Sequence, residues 1–147
     1  MAGGIEQIMD GKQIMAIVWR KRLRAKGARF LTPQTYTLQV GLLEHPKGKV
    51  IPAHRHPNLK YNVGTTQEFL YIERGQVQAT LYRNNWKVIK KVKLNAGDFI
   101  LTIAGGHGFK ILKPARIIEI KQGPYPGDAK AKIFMDEFGR DTKQRPV

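Results

Sequence analysis

His54 and His56 flank Arg55 in a stretch that reads as extended chain. On a strand, side chains at i and i+2 leave the same face. Two imidazoles in this spacing converge on one point, as two ligands of a metal ion must. Glu68 and His107 follow, and three of the four histidines in the chain fall into this arrangement. The fourth, His45, stands beside Pro46 in a turn and reads as a surface residue. The chain has no cysteine, so a metal here would be held by nitrogen and oxygen alone.

Positioning four such groups requires closely spaced strands. Turn signals recur at Gly27, Gly41, Pro46-Lys47-Gly48, Arg74-Gly75, Asn84-Asn85, Asn95-Ala96-Gly97, Gly105-Gly106 and Gly123-Pro124. Short segments rich in Val, Ile, Tyr and Phe lie between them, the mark of an all-β sandwich or barrel. The pattern predicts strands near 13–20, 35–43, 49–56, 67–74, 76–83, 86–94, 98–103, 107–113 and 115–122. Gln76 to Tyr82 alternates polar and apolar, as a strand with one wet face should. The first ten residues read as a short helical turn. The last twenty residues, Asp128 to Val147, read as a docked helical turn followed by frayed chain, anchored by Ile133, Phe134, Met135 and Phe138.

Gly48, five residues, His54-Arg55-His56, then Glu68, six residues and Gly75, is similar to the first motif of the cupin superfamily. Eleven residues separate His56 from Glu68, where the family usually has three or four. Gly97 to Ile111 resembles the second motif, with Ile103 in place of its Pro, one residue fewer before His107, and Ile111 in place of its Asn. The resemblance implies a double-stranded β-helix, a jelly-roll barrel, as one domain over 1–147. The barrel core would span about 35–122, with an extra N-terminal strand and a short helical or irregular tail over 123–147. It implies His54, His56, Glu68 and His107 as ligands of one divalent ion, Fe, Mn, Ni, Co or Zn, with open positions for substrate. Glu68 shares its strand face with Leu70 and Ile72, so its carboxylate would point into an apolar barrel and need a cation or a basic side chain such as Arg55. The long 57–67 loop would act as a partial lid.

Glu119 and Lys121 share one strand face near the expected barrel mouth. They read either as a general acid/base pair or as an exposed ion pair of small energetic weight. Tyr61, Tyr71, Trp86 and Phe109 would line the pocket mouth or pack in the core. Gln67 leaves the opposite face from Glu68.

The chain has 147 residues, 41% of them hydrophobic, which suits one globular domain. No apolar run is long enough for a spanning helix, and Met1 to Asp10 lacks the form of a signal peptide, so a cytoplasmic, non-membrane protein is expected. Lys and Arg number 26 against 11 Asp and Glu, a formal charge of +15. That excess reads either as a solvated surface or as attraction for anions. The leading expectation is a metal-dependent isomerase, epimerase or dioxygenase acting on a sugar phosphate, nucleotide sugar or carboxylate. A non-catalytic binding module for a small anionic molecule is the alternative, and a nucleic-acid partner is motivated by charge alone. A homodimer is expected by analogy, through pairing of the Ile- and Val-rich strand Gln13–Arg20.

Overall fold

The computed structural model describes residues 3–146. Strands account for 47% of the chain and helix for 3%, so the protein is all-β, built on one curled antiparallel sheet that forms a half-barrel. Strands β1 (Ile5–Asp10), β2 (Gln13–Trp19), β5 (Glu68–Tyr82), β6 (Val88–Asn95), β7 (Phe99–Thr102) and β8 (Gly106–Lys121) make the main sheet, and β3 (Gly27–Phe30) pairs with β4 (Gly41–Glu44) in a separate ribbon. Among the described residues, no helix is long and apolar enough to cross a membrane.

β5 is the axis of the sheet. β8 runs along one of its edges from Glu68↔Lys121 to Tyr82↔Gly106. On the other edge, residues 68–71 pair with β7 and residues 76–82 with β6. This change of partner requires a bend. The β5–β8 register slips three times between Ile72 and Val77, and Gly75 sits there at φ 87°. A Cβ on Gly75 would lie 2.2 Å from the Pro114 carbonyl oxygen and 2.6 Å from the Ala115 Cα. Only glycine fits both the left-handed dihedral and this approach of two backbones. Pro114 has no N–H to leave unpaired at the facing bulge.

The β6–β7 turn locks the bend. Ile72 N–H donates to the Asp98 carbonyl at 3.0 Å and Gly97 N–H to the Ile72 carbonyl at 2.7 Å. The buried Asp98 carboxylate accepts from the backbone N–H of Lys21 and Asn95 and from Arg20 Nη1, each at 3.0 Å. Arg20 also reaches Glu6 at 3.0 Å, and Lys90 meets the same carboxylate at 2.6 Å, so one charged network ties β1, β2 and β6 to the turn. These contacts satisfy a carboxylate that would be costly to bury alone.

Both faces of the β2–β7 part of the sheet are covered. Ala16, Val18, Ile72, Val77, Leu81, Leu94 and Ile100 fill the concave side, while Ile17, Trp19 and Leu101 pack on the convex side under residues 23–42. This explains why β2 is buried along most of its length instead of alternating.

Several expectations are corrected. Residues 49–56 form no strand: Pro46, Pro52 and Pro57 remove donors, and the stretch from 45 to 66 is exposed with no ladder partner. Of the strand expected over 35–43, only Gly41–Glu44 is present, and its partner β3 went unforeseen. The N-terminal segment is strand β1, because Ile5 to Asp10 finds a ladder along β2; Met1 and Ala2 lie outside the described residues. The two pairs of strands expected over 67–83 and 107–122 are two continuous bent strands. The tail has its helical turn, α1 (Asp128–Ala131), but then forms a hairpin of β9 (Phe134–Met135) and β10 (Asp141–Thr142) in place of frayed chain; Val147 lies outside the described residues.

Two outcomes are expected. Gly75→Ala should destabilise the fold by about 3 kcal/mol or more, combining dihedral strain with backbone overlap. Gly48→Ala, at a similar φ of 84° with nothing within 4 Å of the new Cβ, should cost only about 1 kcal/mol. Equal urea midpoints for the two variants would remove the overlap argument. Glu6 is held below its ordinary value of 4.5 mainly by the Lys90 hydrogen bond, against the opposing effect of burial, with Arg20 assisting. Its folded-state pKa is depressed, so its stabilisation is present above pH 4.5 and lost as pH falls through the lowered value. The stability deficit of Glu6→Gln, followed by denaturant titration, should be constant near neutrality and shrink below that point.

Candidate functional site

Glu68 starts β5 and His107 is the second residue of β8, at opposite ends of the paired ribbon. Their register partners, Lys121 and Leu81, place them thirteen residues apart along β5, roughly 43 Å in a straight strand. Nevertheless, His107 Nε2 lies 2.8 Å from Glu68 Oε2. The bend at Gly75 curls the ribbon until its ends meet. Gly105, at φ 70°, then turns the chain into β8 under the Tyr82 carbonyl, where an added Cβ would lie 2.4 Å away.

Glu68 and Lys121 are cross-strand neighbours, and Lys121 Nζ lies 3.5 Å from Glu68 Oε1. The same ammonium is 2.6 Å from Glu119 Oε1 and sits 5.2 Å from the Tyr125 ring centre. Glu68 is 14% exposed, His107 27%, and Glu119, at the rim, 42%. The His107 hydrogen bond, supported by the charges of His107 and Lys121, holds the Glu68 carboxyl below its usual range although burial opposes it. The Glu119 hydrogen bond, with the Glu68 charge, raises Lys121 against burial. At neutral pH the site therefore contains an ionised Glu68 and a protonated Lys121.

A carboxylate can only accept, so His107 donates its Nε2–H to Glu68. When the imidazole is neutral, Nδ1 carries the lone pair and has no hydrogen-bond partner among the described residues. A carboxylate orienting one ring nitrogen leaves the other available for proton transfer. The group opens into a cleft of about 740 Å³. Leu70 and Phe109 form part of its apolar floor, with Phe109 5.5 Å from the His107 ring. Arg83 and Trp86 form one wall, and Lys132, Phe134 and Asp141 of the tail form another. Trp86 Nε1 donates to Asp141 at 2.9 Å, which ties the terminal hairpin to the wall.

His54 and His56 stand elsewhere, on the exposed 45–66 segment, with ring centres 5.1 Å apart. His54 Nδ1–H donates to the Pro52 carbonyl at 2.8 Å, leaving Nε2 free. Among the described residues, no group of three or more His, Asp or Glu side chains is arranged to hold a metal ion. The four expected ligands thus form two pairs, and Glu68 and His107 spend their facing atoms on each other. In this arrangement they do not make a four-ligand set. Gln67 is buried away from the cleft, its Oε1 accepting from Leu38 N–H at 3.2 Å, as its strand face predicts.

Glu68, His107, Glu119 and Lys121, which the structure brings to one cleft, stand out as candidates from two-residue periodicity and motif spacing. Arg83, Lys132 and Asp141 do not. Arg83 enters through the tight turn before β6, and the other two through a tail whose docking no local pattern announces. Trp86 is held at φ 64°, an unusual dihedral for a bulky residue. No protein-family model, curated protein or solved structure matches the chain.

Proposed function

We propose that the cleft is an acid–base site acting on a small anionic molecule, with His107 as the proton-transferring group and Glu68 as the residue that orients it. The observation that carries this reading is the 2.8 Å contact between the two, beside a protonated Lys121, in an open cleft. Isomerisation and epimerisation require a proton removed at one carbon and returned at another position or face, chemistry that an imidazole with one anchored nitrogen can supply. Lys121 is positioned to stabilise negative charge that develops on a substrate oxygen. The cleft lining itself is nearly balanced, with Arg83, Lys121 and Lys132 against Glu68, Glu119 and Asp141. Preference for an anion therefore comes from the field of the whole +15 chain.

A cupin jelly roll with its metal is the second reading, in which His107 is a ligand and not the proton carrier, because a coordinated nitrogen has no lone pair left to take a proton. Glu68 and His107, from the two motif halves, meet although they are 39 positions apart in sequence, which supports the motif assignment. His54 and His56, already side by side, form the second half of a ligand set if the 45–66 segment folds over the cleft mouth. A metal there would act as a Lewis acid on a substrate oxygen.

Solvent-deuterium incorporation, followed by NMR over a panel of phosphorylated and carboxylated hydroxycarbonyl compounds, tests the acid–base reading. Exchange should appear with at least one compound and fall roughly 10²- to 10⁴-fold in His107→Gln. Saturable binding without exchange would make the protein a binding module. Elemental analysis of protein purified without chelator tests the metal separately. Near one equivalent of metal per chain, lost in His54→Ala/His56→Ala, is expected. Metal retained by the double variant would remove both histidines from the ligand set.

A further inference from the structure

The concave face of the sheet carries the cleft, whereas the opposite face of β6, β5 and β8 carries a different chemistry. Directly opposed residues of an antiparallel pair share a face. The register therefore aligns Lys93, Gln78 and Lys110 in one row and Asn95, Gln76 and Lys113 in the next. Lys91, Thr80 and Gly108 form a third row. The alternate residues Val77, Ala79, Leu81, Val92 and Leu94 point the other way into the core, so these rows face outward, although Thr80 in the third row is itself buried. Lys91, Lys93, Lys110 and Lys113 are exposed and form no ion pair among the described residues, unlike neighbouring Lys90, which is held by Glu6.

The result is a neutral hydrogen-bonding column, Gln76 and Gln78, between two columns of unpaired ammonium groups about 10 Å apart at the backbone. Along β6 the lysines repeat at about 7 Å. The same outward column ends in Tyr82. Its Cε2 would lie 3.8 Å from a Cβ on Gly108 and its Cβ 3.4 Å from one on Gly106. Two glycines thus leave the floor on which the half-buried Tyr82 side chain rests, and Trp86 meets that ring edge-on at 6.0 Å. Paired lysine columns beside an aromatic ring combine the two elements that hold a nucleic-acid strand: cations on its phosphates and a platform for an unpaired base.

We propose that the outward face of β6–β5–β8 binds single-stranded nucleic acid, with Lys93, Lys110 and Lys113 on the phosphates and Tyr82 against a base. A duplex would satisfy the lysines but hide its bases from Tyr82, so single strands are preferred.

Fluorescence anisotropy with a labelled oligothymidylate of roughly 15 nucleotides tests this, with salt titrated at each step. Lys93→Glu/Lys110→Glu/Lys113→Glu should weaken binding at least tenfold and flatten the salt slope. Lys47→Glu/Lys49→Glu/Lys60→Glu, an equal charge change on the 45–66 segment, should have a much smaller effect. Tyr82→Ala should weaken binding roughly tenfold with the salt slope kept, and Tyr82→Phe should restore it. Circular dichroism would confirm that each variant is folded. Equal losses in the two triple-lysine variants would overturn the proposal. So would tighter binding of a matched duplex, or binding to phosphatidylserine vesicles with none to the oligonucleotide.

Discussion

The bend where Gly75 passes over Pro114 and Ala115 is the constraint on which the rest of the structure depends. A straight β5–β8 ribbon would hold Glu68 and His107 at opposite ends of an extended hairpin. The left-handed dihedral at Gly75 and the facing bulge allow the ribbon to curl, and the curl brings those ends within hydrogen-bonding distance. The bend also lets one edge of β5 serve two partners, first β7 and then β6. Asp98 closes the arrangement from the side. Its carboxylate gathers Arg20, Lys21 and Asn95 while its carbonyl accepts from Ile72 at the bend.

A curled sheet has two unlike faces, and this chain uses them differently. Inside the curl, a half-buried carboxylate is paid for by an imidazole and an ammonium, which leaves the ring's other nitrogen open to the cleft. Outside it, lysines on β6 and β8, the two strands that flank this half of β5, stand in rows with no acidic partner among the described residues. The two-residue period of the strands separates these chemistries, because a single-residue step moves a side chain from one face to the other. The parity change within β5, from Leu70 and Ile72 inward to Val77 and Ala79 inward, occurs at the same bend.

The stretch from 45 to 66 shows how local pattern and tertiary pairing part company. Its Val50-Ile51 and His54-Arg55-His56 read as strand, yet three prolines interrupt the donors a ladder needs, and no sheet edge lies along it. The N-terminal segment shows the converse. Ile5 to Asp10 carries a weak strand signal, but β2 offers an edge and the ladder forms.

Local pattern along the chain carries the all-β class, most strand positions from β5 to β8, and the candidacy of Glu68, His107, Glu119 and Lys121. Turn residues and two-residue alternation are local properties and can be read along the chain. Tertiary structure alone decided that Glu68 and His107 touch, because the contact depends on a backbone approach at Gly75 that only the facing strand makes necessary. It also decided that His54 and His56 stand apart from them, that Arg83, Lys132 and Asp141 line the cleft, and that lysines from two separate strands share one face. Each of these depends on pairing between segments far apart in sequence, where residue type sets no register until the partner is in place.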